Sequence, residues 1–248
     1  MQVILIGTLA SLAAGLATVV GAFTVFLYRR ISDRVMDASL GVSAGVMLAA
    51  TLFGLILPAI KTGGVWKTAF GVLLGAGFII LSERFVPHIH QVTGIKGPAT
   101  HLKRIWLFIF AITIHNFPEG LSVGVGFGQG NIKAGILLAV GIGIQNIFEG
   151  ICVAFPLLRN NVSRLRSFLI ASGTAFVEPI GGFLGISVVT AASGFLPYGL
   201  AFAAGAMLFV IVNEMIPETH ARGYAREATV GIIIGFVTMM ILENISLF

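Results

Sequence analysis

Apolar residues run along this chain in blocks of about 20, each long enough to cross a hydrocarbon layer as a helix. Eight such blocks fall at roughly 4–28, 37–60, 66–86, 105–128, 132–156, 166–190, 197–217 and 228–247. The pattern predicts an all-α polytopic membrane protein, with eight transmembrane helices forming one domain over residues 1–248. The connections are short except for 87–104, which carries Pro87, His88, His90 and Pro98. No room remains for a separate soluble domain. The first 28 residues are too long and too apolar for a cleaved signal, and read as a retained helix closed by Arg29 and Arg30.

The apolar pattern is broken at related places in adjacent helices. His115-Asn116-Phe117-Pro118-Glu119-Gly120 in helix 4 is echoed thirty positions later by Gln145-Asn146-Ile147-Phe148-Glu149-Gly150 in helix 5. His115 and Glu119 are four residues apart and share a helical face, which Asn116 also reaches. Gln145, Asn146 and Glu149 repeat the arrangement on a helix expected to be the antiparallel neighbour. Helix 6 adds a third midspan acid, Glu178, followed directly by Pro179. Pro118 removes a backbone hydrogen bond and frees a carbonyl one turn upstream.

Ionisable side chains at this depth are costly and are usually kept for a function. Isolated in lipid, three carboxylates would take up protons rather than stay charged; one or two divalent cations would compensate them instead. Imidazole with carboxylate suits Zn(II), Fe(II), Mn(II) or Co(II) better than Ca(II). Met47 in helix 2 offers a soft thioether, although packing by itself accounts for that residue.

Composition agrees: 57% of residues are hydrophobic, only 10% are charged, and mean hydropathy is +1.01. The single cysteine, Cys152, excludes an intramolecular disulfide framework and a Cys-rich metal centre, and packing accounts for it. The basic pI near 9.8 does not indicate nucleic acid, because no soluble basic domain exists to hold a polyanion. Instead the basic residues record topology. Arg29, Arg30, Arg34, Arg84, Lys96, Lys103, Arg104, Arg159, Arg164, Arg166, Arg222 and Arg226 flank the odd-numbered loops. Only Lys61, Lys67 and Lys133 flank the even-numbered ones. This bias predicts cytoplasmic odd loops and both termini outside a cell membrane. Glycines at four-residue spacing, such as Gly41 and Gly45 or Gly120, Gly124 and Gly128, predict close helix packing and allow a homodimer.

The helix 4 segment, its partial echo on helix 5 and the eight spans resemble the ZIP (Zrt/Irt-like) metal transporters, in particular the prokaryotic GufA/ZupT-like branch. The resemblance covers essentially the whole chain. It implies transport of divalent transition metals into the cytoplasm: zinc foremost, and iron, manganese, cobalt and cadmium. It implies no prosthetic group, only one or two ions bound as substrate. One metal position would use Met47, His115, Glu119, Gln145 and Glu149. Its neighbour would use Asn116, Glu119, Asn146, Glu149 and Glu178, with Glu119 and Glu149 bridging. The fold implied is an inverted 3+2+3 repeat, with helices 1, 4, 5 and 6 moving in elevator fashion against helices 2, 3, 7 and 8. By the same resemblance Glu83, His88, His90 and Glu214 form an exit path. Helix 5 departs from the commoner pattern, with Gln145 where many members have His, Phe148 where they have Pro, and neutral Asn146 where some carry an acid. The resulting ligand set is harder. Asp37 opens helix 2, where helix capping accounts for it.

Two other function classes use the same residues. An intramembrane metalloenzyme of the zincin type requires His-Glu-x-x-His, which is absent. A di-iron bundle uses Glu-x-x-His, whereas this chain has His-x-x-x-Glu. A metal-selective channel would share the site but would not saturate.

Overall fold

The computed structural model describes residues 1–90, 94–96 and 104–245. Among the described residues there are eight long apolar helices: α1 (Gln2–Leu27), α2 (Asp33–Gly63), α3 (Val65–Phe85), α4 (Trp106–Gly126), α5 (Ile132–Arg159), α6 (Arg164–Ala191), α7 (Leu196–Thr219) and α8 (Ala225–Asn244). Local chemistry sets several of their ends. The side chains of Ser32, Asn131 and Ser163 accept hydrogen bonds from Val35, Ala134 and Arg166 backbone N–H groups, capping α2, α5 and α6. Gly64 alone separates α2 from α3, at a φ of 81° that a side chain would resist. The loop between α3 and α4 contains a small antiparallel hairpin of β1 (His88–His90) and β2 (Gly94–Lys96), pairing Ile89 with Ile95. The hydropathy pattern gave no sign of it. Pro98 lies outside the described residues.

The helices form two groups. Helix α1 packs most extensively on α5 and α4 on α6, while α2 packs on α8 and α3 on α7. The groups meet chiefly where α2 crosses α5 and α4 crosses α7. The most apolar windows of α2, α4 and α7 are 61% buried, against 22% for α3 and α8. The outer helices therefore present apolar side chains such as Trp66, Phe70, Leu73 and Ile233 to the surroundings.

Small residues make these contacts, and they do so twice over. A methyl group at Gly45 would overlap the Ile232 carbonyl, and one at Gly205 would overlap the Val72 carbonyl. Gly235 meets the Val42 carbonyl as Gly75 meets that of Phe202. Gly21 abuts Ile147 as Gly181 abuts Phe117. In every pair the residues of α1–α3 match those of α6–α8 at an offset of 160 positions, and α4 matches α5 at an offset of 30. Five crossings separate α1 from α6, so the two three-helix units run in opposite directions. The fold is thus an inverted repeat around a central α4–α5 pair. The chain carries the echo directly, in Ala44-Gly45-Val46-Met47-Leu48 and Ala204-Gly205-Ala206-Met207-Leu208.

Both α2 and α7 widen into a π-helical stretch, over Ala50–Ile56 and Ile211–Met215, just before Pro58 and Pro217. A proline ring collides with the carbonyl four residues earlier, and the extra residue in each turn relieves that clash. Such bulges recur at functional sites, and here one of them carries Glu214.

Because Gly75 and Gly235 are equivalent contacts, Gly75→Val and Gly235→Val are each expected to destabilise the fold by about 1–3 kcal/mol. Gly77→Ala, where nothing lies within 4 Å of the added methyl, should be close to neutral. Thermal melts in detergent check this; a large difference between the two valine variants would contradict the repeat.

Candidate metal centre

Helix α4 brings His115, Asn116 and Glu119 to its inner face, and α5 brings Gln145, Asn146 and Glu149 opposite them. Helix α6 tightens into a 3-10 turn over Ala175–Val177 and resumes at Glu178 with Pro179 behind it. A methyl group at Gly120 would overlap the Glu178 carbonyl, so α4 and α6 nearly touch beside that acid. All seven side chains are buried, from fully for Asn116, Gln145, Asn146 and Glu178 to 9% exposed for His115.

Amide groups tie the acids together. Gln145 Nε2 donates to Glu119 Oε1 at 2.7 Å and to Glu149 Oε2 at 3.0 Å, and lies 3.1 Å from Asn146 Oδ1. Asn146 Nδ2 donates to Glu178 Oε1 at 2.8 Å and to the Ala14 carbonyl at 2.9 Å. Asn116 Nδ2 donates to the Thr174 carbonyl at 3.2 Å. The partially positive Gln145 amide thus lies between two carboxylates. Among the described residues, no three His, Cys, Asp or Glu side chains converge closely enough to hold an ion without rearrangement. Yet Asn116 Oδ1, Glu119 Oε2, Gln145 Oε1, Glu149 Oε1 and Glu178 Oε2 are buried with no hydrogen-bond partner among the described residues. Buried acceptors are nearly always paired, so five unpaired oxygens in one cluster form a set suited to a cation.

A cavity of about 450 Å³, including its open mouth, reaches the cluster, and its wall includes Phe108, His115, Glu119, Glu149 and Glu218. His115 faces Glu214 of the α7 bulge, with Nε2 2.8 Å from Oε2. Glu214 therefore adjoins the central cluster directly. Of the other residues expected on an exit path, Glu83 lies near the end of α3, and His88 and His90 lie beyond it on β1. Glu83 accepts from Asn213 Nδ2 at 3.3 Å, and His88 Nε2 is 3.8 Å from Glu83 Oε1. His88 is 1% exposed, and its Nδ1 lies 2.7 Å from the Val86 carbonyl. His90 belongs to β1; its side chain lies outside the described residues. Met47 is fully buried on α2 in the apolar core, outside the hydrogen-bonded cluster.

One residue differs from the sequence expectation. Ser32, not Asp37, caps α2. Asp37 is fully buried and ion-paired with Arg222 at 2.8 Å, and it accepts from the Tyr224 N–H at 3.4 Å. Arg222 also donates to Glu218 Oε1 at 3.2 Å. Burial works against the charge of Arg222, but its hydrogen bond to Asp37 and the charge of Glu218 outweigh it and hold its pKa above the usual value. Capping accounts for an acid at a helix start from sequence position alone; only the loop between α7 and α8, folded back on α2, supplies the arginine. Cys152 packs against the core as expected, and it also stands on the cavity wall one turn beyond Glu149. Its spacing of three residues from Glu149 was the available signal.

An inverted helical repeat with a polar cluster buried between its central helices defines a membrane transporter rather than a soluble enzyme. The sequence pattern of the family described as ZIP zinc transporter matches residues 96–243. The chain is 40% identical over 247 residues to the zinc transporter GufA of Myxococcus xanthus, covering 96% of this chain and 97% of that protein. It is 38% identical over 250 residues to the zinc transporter ZIPB of Bordetella bronchiseptica, covering 94% and 79%. To the zinc transporter ZupT of Chlorobaculum parvum it is 34% identical over 253 residues, covering 93% and 94%. The chain belongs to the ZIP family, in its prokaryotic branch.

Asp37→Ala leaves the Arg222 guanidinium beside a buried void and is expected to destabilise the protein by about 3 kcal/mol. Asp33→Ala breaks an exposed pair with Arg159 and should cost less than about 1 kcal/mol. Comparing the two melts checks the assignment, and equal effects would refute it.

Proposed function

We propose that this protein carries divalent transition-metal cations into the cytoplasm, zinc foremost and also iron, manganese, cobalt and cadmium. The observation that carries this reading is the group of five buried, unpaired oxygens on Asn116, Glu119, Gln145, Glu149 and Glu178. In the absence of a cation, Gln145 supplies the positive end between Glu119 and Glu149. On binding, a metal ion takes that place as substrate, and the Gln145 amide turns to present Oε1, now an acceptor among acceptors. Glu119 and Glu149 bridge two positions. One is completed by His115, Gln145 and Met47, the other by Asn116, Asn146 and Glu178. Relatives named zinc transporters support zinc as one substrate.

The cavity wall includes Phe108, near the start of α4, and Glu218, near the end of α7, so it opens toward the arginine-rich loops. By the positive-inside rule this is the cytoplasmic face of a bacterial inner or plasma membrane, with both termini outside. Glu214, Glu83, His88 and His90 then lie on the release side. The other half of the boundary between the two helix groups is an apolar crevice lined by Leu74, Leu121, Val125, Val188 and Phe202. Such a surface, without hydrogen bonds to break, supports movement of α1, α4, α5 and α6 as a unit past α2, α3, α7 and α8.

In proteoliposomes, Glu119→Ala and Glu149→Ala are each expected to reduce zinc uptake by at least about tenfold. Unchanged zinc, iron, manganese and cobalt uptake in both variants would end the proposal. Uptake that rises without saturation would mark a channel instead of a carrier.

A further inference from the structure

The inverted repeat extends to the hydrogen bonds of the centre itself. Asn146 donates to the Ala14 carbonyl of α1, and its counterpart Asn116 donates to the Thr174 carbonyl of α6. Ala14 and Thr174 are again 160 positions apart. The operation exchanges Asn116 with Asn146 and Glu119 with Glu149, so its axis passes between these four side chains. Glu178 is not exchanged with another acid. Its counterpart is Thr18: Gly120 abuts the Glu178 carbonyl as Gly150 abuts that of Thr18.

Thr18 is an unusual threonine in this protein. Thr8, Thr51 and Thr113 each donate to the carbonyl four residues earlier, at 2.7–2.8 Å. Thr18 is fully buried, and its Oγ1 has no hydrogen-bond partner among the described residues. The carbonyl it would ordinarily use, that of Ala14, accepts from Asn146. The same face of α1 lies directly against the acid, since a methyl group at Gly15 would sit 2.9 Å from Glu178 Oε1. A buried hydroxyl kept off its own backbone, one helical turn from a carboxylate, is a group held for a ligand.

We propose that Thr18 is a specificity-determining residue, whose hydroxyl supplies the oxygen opposite Glu178 around the ion held by Asn116, Glu119, Asn146 and Glu149. This inference rests on the metal-carrier reading above and adds α1 to it. Six oxygen donors from four helices make an octahedral, hard site, which suits Mn(II) better than Zn(II), whose sites are mostly tetrahedral with nitrogen or sulfur donors. Thr18 thereby tilts a zinc-family centre toward manganese.

Initial uptake rates of manganese and zinc in proteoliposomes test this in Thr18→Val, which removes only the hydroxyl, and Thr18→Ser, which keeps it. The manganese-to-zinc ratio is expected to fall about tenfold in Thr18→Val and to stay within about twofold of the parent in Thr18→Ser. Thr18→Ala provides the same comparison if the valine variant does not fold. Thermal stabilisation of the detergent-solubilised protein by manganese alone should follow the same order. Flux with an unchanged ratio in Thr18→Val overturns the assignment of Thr18 and leaves the carrier reading standing. Equal losses in the serine and valine variants also overturn it, because packing rather than ligation would then explain them. Absence of flux of either metal in the parent protein overturns both.

Discussion

Three carboxylates buried at the depth of lipid tails require positive charge, protons or amide hydrogens beside them, and the rest of this structure is arranged around that requirement. Glu119, Glu149 and Glu178 come from three helices, and among the described residues none of them meets a lysine or arginine in the centre. Gln145 and Asn146 supply N–H donors in their place. Neutral amides satisfy one oxygen of each acid and leave the other unpaired, an arrangement a small cation can exploit and a fixed arginine would close off. Where permanent neutralisation is needed, at the cavity mouth, the protein does use an arginine: Arg222 holds Asp37 and Glu218.

Bringing the acids together demands that the helices carrying them nearly touch. In a membrane no hydrophobic drive presses helices together, and association depends on van der Waals packing and hydrogen bonding between backbones in close approach. Gly120 against Glu178 and Gly150 against Thr18 meet that demand beside the centre, and Gly45, Gly75, Gly205 and Gly235 do so in the outer group. The same contacts make the inverted repeat visible. Symmetry places equivalent groups around an axis, and departures from it show where chemistry differs. His115 and Gln145 are counterparts under that symmetry, as are Glu178 and Thr18.

The two helix groups differ in what they carry. The polar centre lies on α4, α5 and α6 and is braced by α1, whereas α2, α3, α7 and α8 contribute the two bulged helices, Glu214 and the Asp37–Arg222 pair. His115 and Glu214 join the groups across their boundary at 2.8 Å. This buried pair and the exposed Asp33–Arg159 pair at the rim couple otherwise largely apolar surfaces without cementing them.

The sequence by itself determined the membrane class, the eight helices and the family, because hydropathy and the His-Asn-Phe-Pro-Glu-Gly motif are local properties of the chain. Helical period alone put His115, Asn116 and Glu119 on one face, and Gln145, Asn146 and Glu149 on another. The repeat was also written in the chain, at an offset of 160 positions, though its glycines read equally well as general packing. Tertiary structure decided what depends on distance between segments far apart in sequence. It turned Asp37 from a presumed cap into the partner of Arg222, brought Glu214 to His115, placed Cys152 on a cavity wall, and left Met47 outside the hydrogen-bonded cluster. It also made Thr18 the counterpart of Glu178 in the repeat. Periodicity fixes which face a side chain occupies, but the partner it meets there is chosen by how the helices cross, and that follows from packing of the whole bundle.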